Sequence, residues 1–247
     1  MKQTQGVYHM KKTIMKKLLA VCFMSVLVPC GAFATMYVDH FTAPAPGQFL
    51  SQLGPGTISS SSTGLGASAI FGSRYLENTI ISGNGYHDIA INVYDPSIMS
   101  DATGYNVVGQ TRIIWDGNTN NTLDYSAAPV DLSQGGQNNL IQILVMSNDL
   151  QHNKFTLTFG DGTTHKDVDF TLPANITTAT TITLPFSLWS GVVFSNIRGA
   201  GLFYHGIANE DFAFDYIRAT SVPEPSTLVL IGAGLIGAVI MKRRAKK

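Results

Sequence analysis

The chain has 247 residues, and its 16 Lys and Arg balance its 16 Asp and Glu only on paper. Ten of the cations stand at the two ends. Residues 35–221 keep six (Arg74, Arg112, Lys154, Lys166, Arg198 and Arg218) against fifteen acids, a net charge of −9. That sign excludes a basic nucleic-acid-binding body, since phosphate neutralisation needs clustered Lys and Arg. The wealth of Ile, Leu, Val, Phe and Tyr excludes disorder across the same stretch.

Lys11, Lys12, Lys16 and Lys17 precede an apolar run from Leu18 to about Val28, and Ala32-Phe33-Ala34 follows with small-x-small spacing. Charged, apolar and small-residue regions in that order predict a signal peptide over 1–34, cut by signal peptidase after Ala34 on export through the Sec machinery. Pro29 stands before Cys30, where an acylated lipoprotein cysteine needs a small residue. Translation could equally open at Met10 or Met15, because residues 1–9 add nothing the signal needs. Both cysteines, Cys22 and Cys30, fall inside this segment. The mature chain therefore has no thiol nucleophile, thiolate metal site or disulfide, although export would permit the last.

From Thr35 to Ser221 the dominant pattern is period-2 alternation, with no convincing helical run. Candidate strands in chain order are 36–41, 69–82, 88–95, 106–115, 140–146, 155–159, 168–172, 178–186, 196–204 and 212–218. Phe155-Thr156-Leu157-Thr158-Phe159 alternates cleanly and breaks at Gly160-Asp161-Gly162. Phe212, Phe214 and Tyr216 are expected on one face, and Asp167 and Asp169 on the solvent side of Val168 and Phe170. Leu140–Met146, apolar on both faces except Gln142, reads as a central strand. Gly83-Asn84-Gly85, Asp95-Pro96, Asp116-Gly117-Asn118 and Gly135-Gly136 supply turns. The Gly/Ser/Thr-rich 54–68 reads as a flexible loop. Nine to eleven strands without intervening helices predict an all-β fold, an antiparallel β-sandwich of jelly-roll type, with the first and last strands as neighbours.

Catalytic motifs are scarce. G-x-S-x-G and H-E-x-x-H do not occur, and His40, His87, His152, His165 and His205 make no i,i+4 pair. A glycosidase pair needs carboxyl groups about 5–9.5 Å apart, a spacing that fifteen acids would meet somewhere by chance. Calcium is the one cofactor the acids suggest, as a structural ion. Asp116, Asn118 and Asn120 alternate like the start of an EF-hand loop, with Asp124 at the ninth position. Asn121 and Ala127 stand where that loop needs Gly and Glu, so a polar hairpin tip accounts for the run as well. Asp39 and Asp215, on the first and last strands, form a second candidate pair. Sugars stack their C–H faces on exposed rings, and Tyr86, Tyr94, Trp189 and Tyr204 are the rings expected near loops. Trp115 is expected in the core.

The C-terminus reads Val222-Pro223-Glu224-Pro225-Ser226-Thr227, then an apolar, Gly-rich run over 228–241, then Lys242-Arg243-Arg244-Ala245-Lys246-Lys247. Two prolines end the preceding strand. Fourteen helical residues give about 21 Å against a hydrocarbon core near 30 Å, and snorkelling of Lys242 and Arg243 narrows the gap. The basic cluster holds the tail cytoplasmic and leaves the body outside. Gly232-Ala233-Gly234-Leu235-Ile236-Gly237 fits the dinucleotide G-x-G-x-x-G, but no acid follows it, and its small residues suit a membrane helix better.

Pro223-Glu224-Pro225, the short apolar helix and the basic stop at Lys242, Arg243 and Arg244 together resemble the PEP-CTERM sorting signal of Gram-negative bacteria. The resemblance covers 222–247 and implies processing by an exosortase in exopolysaccharide-producing cells. The organisation expected is thus a signal peptide (1–34), a β-sandwich body (35–221) and a sorting signal with a membrane helix (222–247). The precursor is anchored in the inner membrane and then passes to the cell surface or extracellular matrix. The body is expected to be non-enzymatic, structural or associated with exopolysaccharide, without nucleic acid. The alternative is a calcium-stabilised enzyme acting on extracellular polysaccharide.

Overall fold

The computed structural model describes residues 35–41, 47–91, 98–149, 154–206 and 208–221, together with Gly234. The expected signal peptide and, Gly234 apart, the sorting tail lie outside the described residues, as do Tyr94, Pro223, Glu224, Pro225, Lys242, Arg243 and Arg244. Among the described residues no helix is long and apolar enough to cross a membrane. Residues 34–222 make one compact unit.

That unit is an antiparallel sandwich of two sheets. The first runs β11 (Thr180–Pro185), β8 (Leu140–Asn148), β13 (Asp211–Thr220), β6 (Met99–Thr103), β5 (Tyr86–Ile91) and β2 (Gln48–Leu53). On the β6 side of β13, β1 (Met36–Asp39) pairs with Ile217–Ala219 while β6 pairs with Asp211–Phe214. The expected pairing of the first and last strands is thereby present. The second sheet runs β10 (His165–Thr171), β9 (Lys154–Gly160), β12 (Gly199–His205), β7 (Val108–Trp115), β4 (Ser73–Ser82) and β3 (Gly56–Thr63). The chain changes sheets repeatedly, as jelly-roll connections do.

Alternation accounts for the layers. In β9, Phe155, Leu157 and Phe159 are buried while Thr156 and Thr158 face outward, because successive side chains point to opposite faces. Phe155 anchors an aromatic cluster with Phe170, Tyr204, Phe212 and Phe214, their ring centroids 4.9–5.4 Å from it. Trp115 is fully buried and donates its indole N–H to Asp39 at 2.7 Å.

Several expectations are corrected. The stretch 54–68 contains β3, in regular register with β4 from Gly56 to Thr63. Ile58, Ser60 and Ser62 turn inward there while Thr57, Ser59, Ser61 and Thr63 face out, which suits an edge strand. The strands β2 and β6 were not expected, because Gln, Ser and Asp interrupt their apolar pattern. Tyr216 leaves the face of Phe212 and Phe214 because the β8–β13 register shifts between Phe214 and Tyr216. A bulge inserts one residue and flips everything after it. Tyr216 consequently lies outside, under the Arg218 guanidinium at 4.4 Å.

Candidate functional site

The outer face of the second sheet carries a transverse row of side chains. Register places Asp169, Thr156, Phe203, Arg112, Glu77 and Ser59 opposite one another across β10, β9, β12, β7, β4 and β3. Five strand spacings make this row about 24 Å long. A parallel row holds Asp167, Thr158, Gly201, Ile114, Tyr75 and Ser61. Between them lies a groove of about 390 Å³ whose lining includes Phe203, Arg112, Tyr125, Asp167, His165 and His205.

One wall of the groove is a loop lying on glycines. After Trp115 the chain folds on itself: Asp116 accepts the backbone N–H groups of Asn118 (2.8 Å) and Asp124 (3.1 Å), and Asn118 donates its amide to Asp124 (2.8 Å). This closure sets Leu123, Asp124 and Tyr125 over the sheet at Gly160, Gly199 and Gly201. A Cβ at Gly160 would lie 2.2 Å from the Tyr125 ring, and one at Gly199 would lie 2.5 Å from the Asp124 carbonyl oxygen. The missing side chains therefore create the seat. Tyr125 stacks on His165 at 5.3 Å, its planes 13° from parallel. Burial, aided by the Asp167 charge, pushes the Tyr125 phenol up to about 12.

Hydrogen bonds hold the acids of this face. Thr158 donates to Asp167 at 2.6 Å, Thr156 donates to Asp169 at 2.7 Å, and Lys154 pairs with Asp169 at 2.8 Å. Lys154 and Thr156 together keep the Asp169 carboxyl below its usual range. The Tyr75 hydroxyl donates to Glu77 at 2.8 Å. The Arg112 guanidinium lies over Phe203, 4.9 Å from the ring centroid.

The residues singled out by sequence do not converge on this groove. Trp189 and Tyr204, expected as rings beside loops, are each 1 % exposed. Trp189 packs edge-on against Phe159 and Phe194 and donates to the Leu157 carbonyl, whereas Tyr204 faces Glu210 and the Phe155 cluster. Tyr86 is 48 % exposed, but on the outer face of the other sheet, opposite Leu53. Asp39 is wholly buried: it accepts two Arg74 N–H groups at 2.6 Å, the Trp115 indole and the Phe41 backbone N–H. Each Asp39 oxygen thus already accepts two hydrogen bonds, which leaves neither free for a shared cation. Asn120 accepts the Thr122 N–H at 2.9 Å, so Asp116, Asn118 and Asn120 serve the fold of their own loop. Among the described residues no group of three or more His, Cys, Asp or Glu is placed to hold a metal.

Sequence reasoning missed Phe203, Tyr125 and Arg112. A signal existed in Gly199-x-Gly201-x-Phe203-x-His205, whose outward face is two glycines, an aromatic ring and an imidazole. A face of that kind leaves room for another surface to approach.

Residues 221–244 match the PEP-CTERM protein-sorting motif, so the chain carries the sorting signal of an exported protein. No curated protein matches the chain. The body is similar to the family 11 carbohydrate-binding module of cellulosomal cellulase Lic26A-Cel5E of Clostridium thermocellum. That similarity has a TM-score of 0.38 and 15% identity, over 78% of this chain and 98% of that one. It is also similar to the family 30 carbohydrate-binding module of cellulosomal cellulase Cel9D-Cel44B of Clostridium thermocellum, with a TM-score of 0.38 and 12% identity over 77% and 99%.

Proposed function

We propose that the body is a non-catalytic module that holds a linear glycan in the groove over Phe203, and that an exosortase processes the tail to leave it at the cell surface or in the extracellular matrix. The observation that carries the reading is the transverse row, about 24 Å of polar side chains around an aromatic floor, long enough for several sugar rings in line. The glycan lies along the Arg112–Phe203 stack and past the Tyr125 edge, while Thr158 and Asp167 meet hydroxyl groups beside it. A binding role also suits the acids. Asp167 and Asp169 stand two residues apart on one face, a spacing that a glycosidase could use, but a general acid needs a raised pKa and that of Asp169 is lowered.

The test is affinity electrophoresis of the full chain, solubilised in mild detergent, through gels containing different polysaccharides, the host's own polymer among them. Phe203→Ala is run alongside, and a reducing-end assay accompanies each gel. Retardation that Phe203→Ala abolishes, without new reducing ends, is the expected outcome. Released sugar would establish the enzyme instead, and no retardation by any polymer would leave a structural surface protein.

A further inference from the structure

The six cations of the body are few enough to follow one by one. Arg74 is sealed against Asp39. Lys154 pairs with Asp169, Lys166 donates to the Ser190 hydroxyl at 2.9 Å, Arg198 to the Ala127 carbonyl at 3.0 Å, and Arg218 to the Gln142 side chain at 2.9 and 3.1 Å. Arg112 differs. Among the described residues its guanidinium has no hydrogen-bond acceptor and no ion pair, and its contact is the face of Phe203 at 4.9 Å. Glu77 is its cross-strand neighbour in the same row, yet that carboxylate takes the Tyr75 hydroxyl and forms no ion pair with Arg112.

The arrangement orients a charge. An arginine stacked on a ring keeps its planar fork and its five N–H donors available at the edge, and that fork matches a pair of anionic oxygens. The ring limits the positions the guanidinium can take, so less freedom is lost when a ligand arrives. The groove floor thus presents one preset cation, while Glu77, Asp167 and Asp169, the acids of the two rows, already accept hydrogen bonds.

We infer that the glycan in this groove is acidic, and that Arg112 receives the carboxylate or sulfate of one of its sugar units. This rests on the glycan reading above and narrows it to a class of polymer. Long-range attraction does not bring the ligand in, because a body of net charge −9 repels a polyanion. The contact is therefore short-range, and retention persists at physiological salt, where exposed charges more than about 8 Å apart are screened.

The experiment compares matched polymers on the full chain in mild detergent at physiological salt. The pairs are polygalacturonate, polymannuronate and polyglucuronate, each with its neutral methyl ester, and dextran sulfate with dextran. The expected result is that at least one charged polymer is held roughly tenfold or more tightly than its neutral counterpart, and that Arg112→Gln removes that difference. An unchanged melting temperature in Arg112→Gln shows that the variant folds. The pattern of retained polymers tells carboxylate from sulfate. Equal retention of charged and neutral partners, or a charge preference that survives Arg112→Gln, overturns the inference while leaving a glycan groove in place. Retention of the host's polymer with none of the charged probes held also overturns it. Retention of no polymer at all removes the glycan reading itself.

Discussion

At the scale of single residues, two of the buried charged sites tie the sandwich together and are not announced by the alternation pattern. Asp39 and Arg74 form a buried pair whose lone pairs and N–H groups are met by Trp115, Phe41 and Gln48. Full satisfaction is what makes such a pair tolerable, since losing either partner would leave a buried charge. It also ties β1 in one sheet to β4 and β7 in the other. The second site is His87, which contacts both Asp101 oxygens at 3.0 and 3.1 Å and fits beside Gly109, where a Cβ would lie 2.3 Å from its Nδ1. Burial opposes the imidazolium, but the Asp101 charge and hydrogen bond outweigh it and raise the His87 pKa above 6.5. The native state then binds this proton more tightly than the unfolded chain does. The pair's contribution is complete below 6.5 and is lost as pH climbs through the raised value. Urea denaturation on either side of that window should show stability falling with pH, and His87→Gln should flatten the slope. An equal slope in the variant would mean that folding does not raise the His87 pKa.

At the scale of elements, the groove wall depends on what three strand residues lack. Gly160, Gly199 and Gly201 leave the space in which Leu123–Tyr125 lie. Gly160→Ala is expected to push the Tyr125 ring off its seat, costing about 1–3 kcal/mol in urea denaturation by overpacking. It should also weaken polymer retention at that end of the groove. Unchanged stability and retention would mean the loop is held by its own hydrogen bonds and not by the glycines. The regular strands were legible in the residues: β9 and β10 follow their alternation, with Asp167 and Asp169 outside and Val168 and Phe170 inside. Less legible was β3, where serine and threonine carry both a loop composition and an edge strand, and only pairing with β4 separates the two. Tyr216 was misplaced because a bulge is a property of two strands in register, and one strand's pattern cannot reveal it.

At the scale of the whole molecule, β1 begins opposite the last residues of β13, so the chain enters and leaves the sandwich at one end: Met36 faces Ala219. Replacing Pro223, Glu224 and Pro225 with alanines is expected to stop processing. An immunoblot of cell fractions would then show a larger, membrane-associated species in place of the mature one. An unaltered product would remove the exosortase from the account.

That the chain carries an export-linked sorting signal was readable from residue order alone, because such a signal is a short linear run: Pro223-Glu224-Pro225, an apolar stretch and terminal charges in sequence. The sheet class was readable too, since period-2 burial is a local pattern. What the body presents was decided only by the tertiary structure. Phe203 meets Arg112 and Tyr125 through strand register and the glycine seat, while Tyr204 points to the core side of β12 and Trp189, in the helical turn Phe186–Trp189, packs against Phe159 and Phe194.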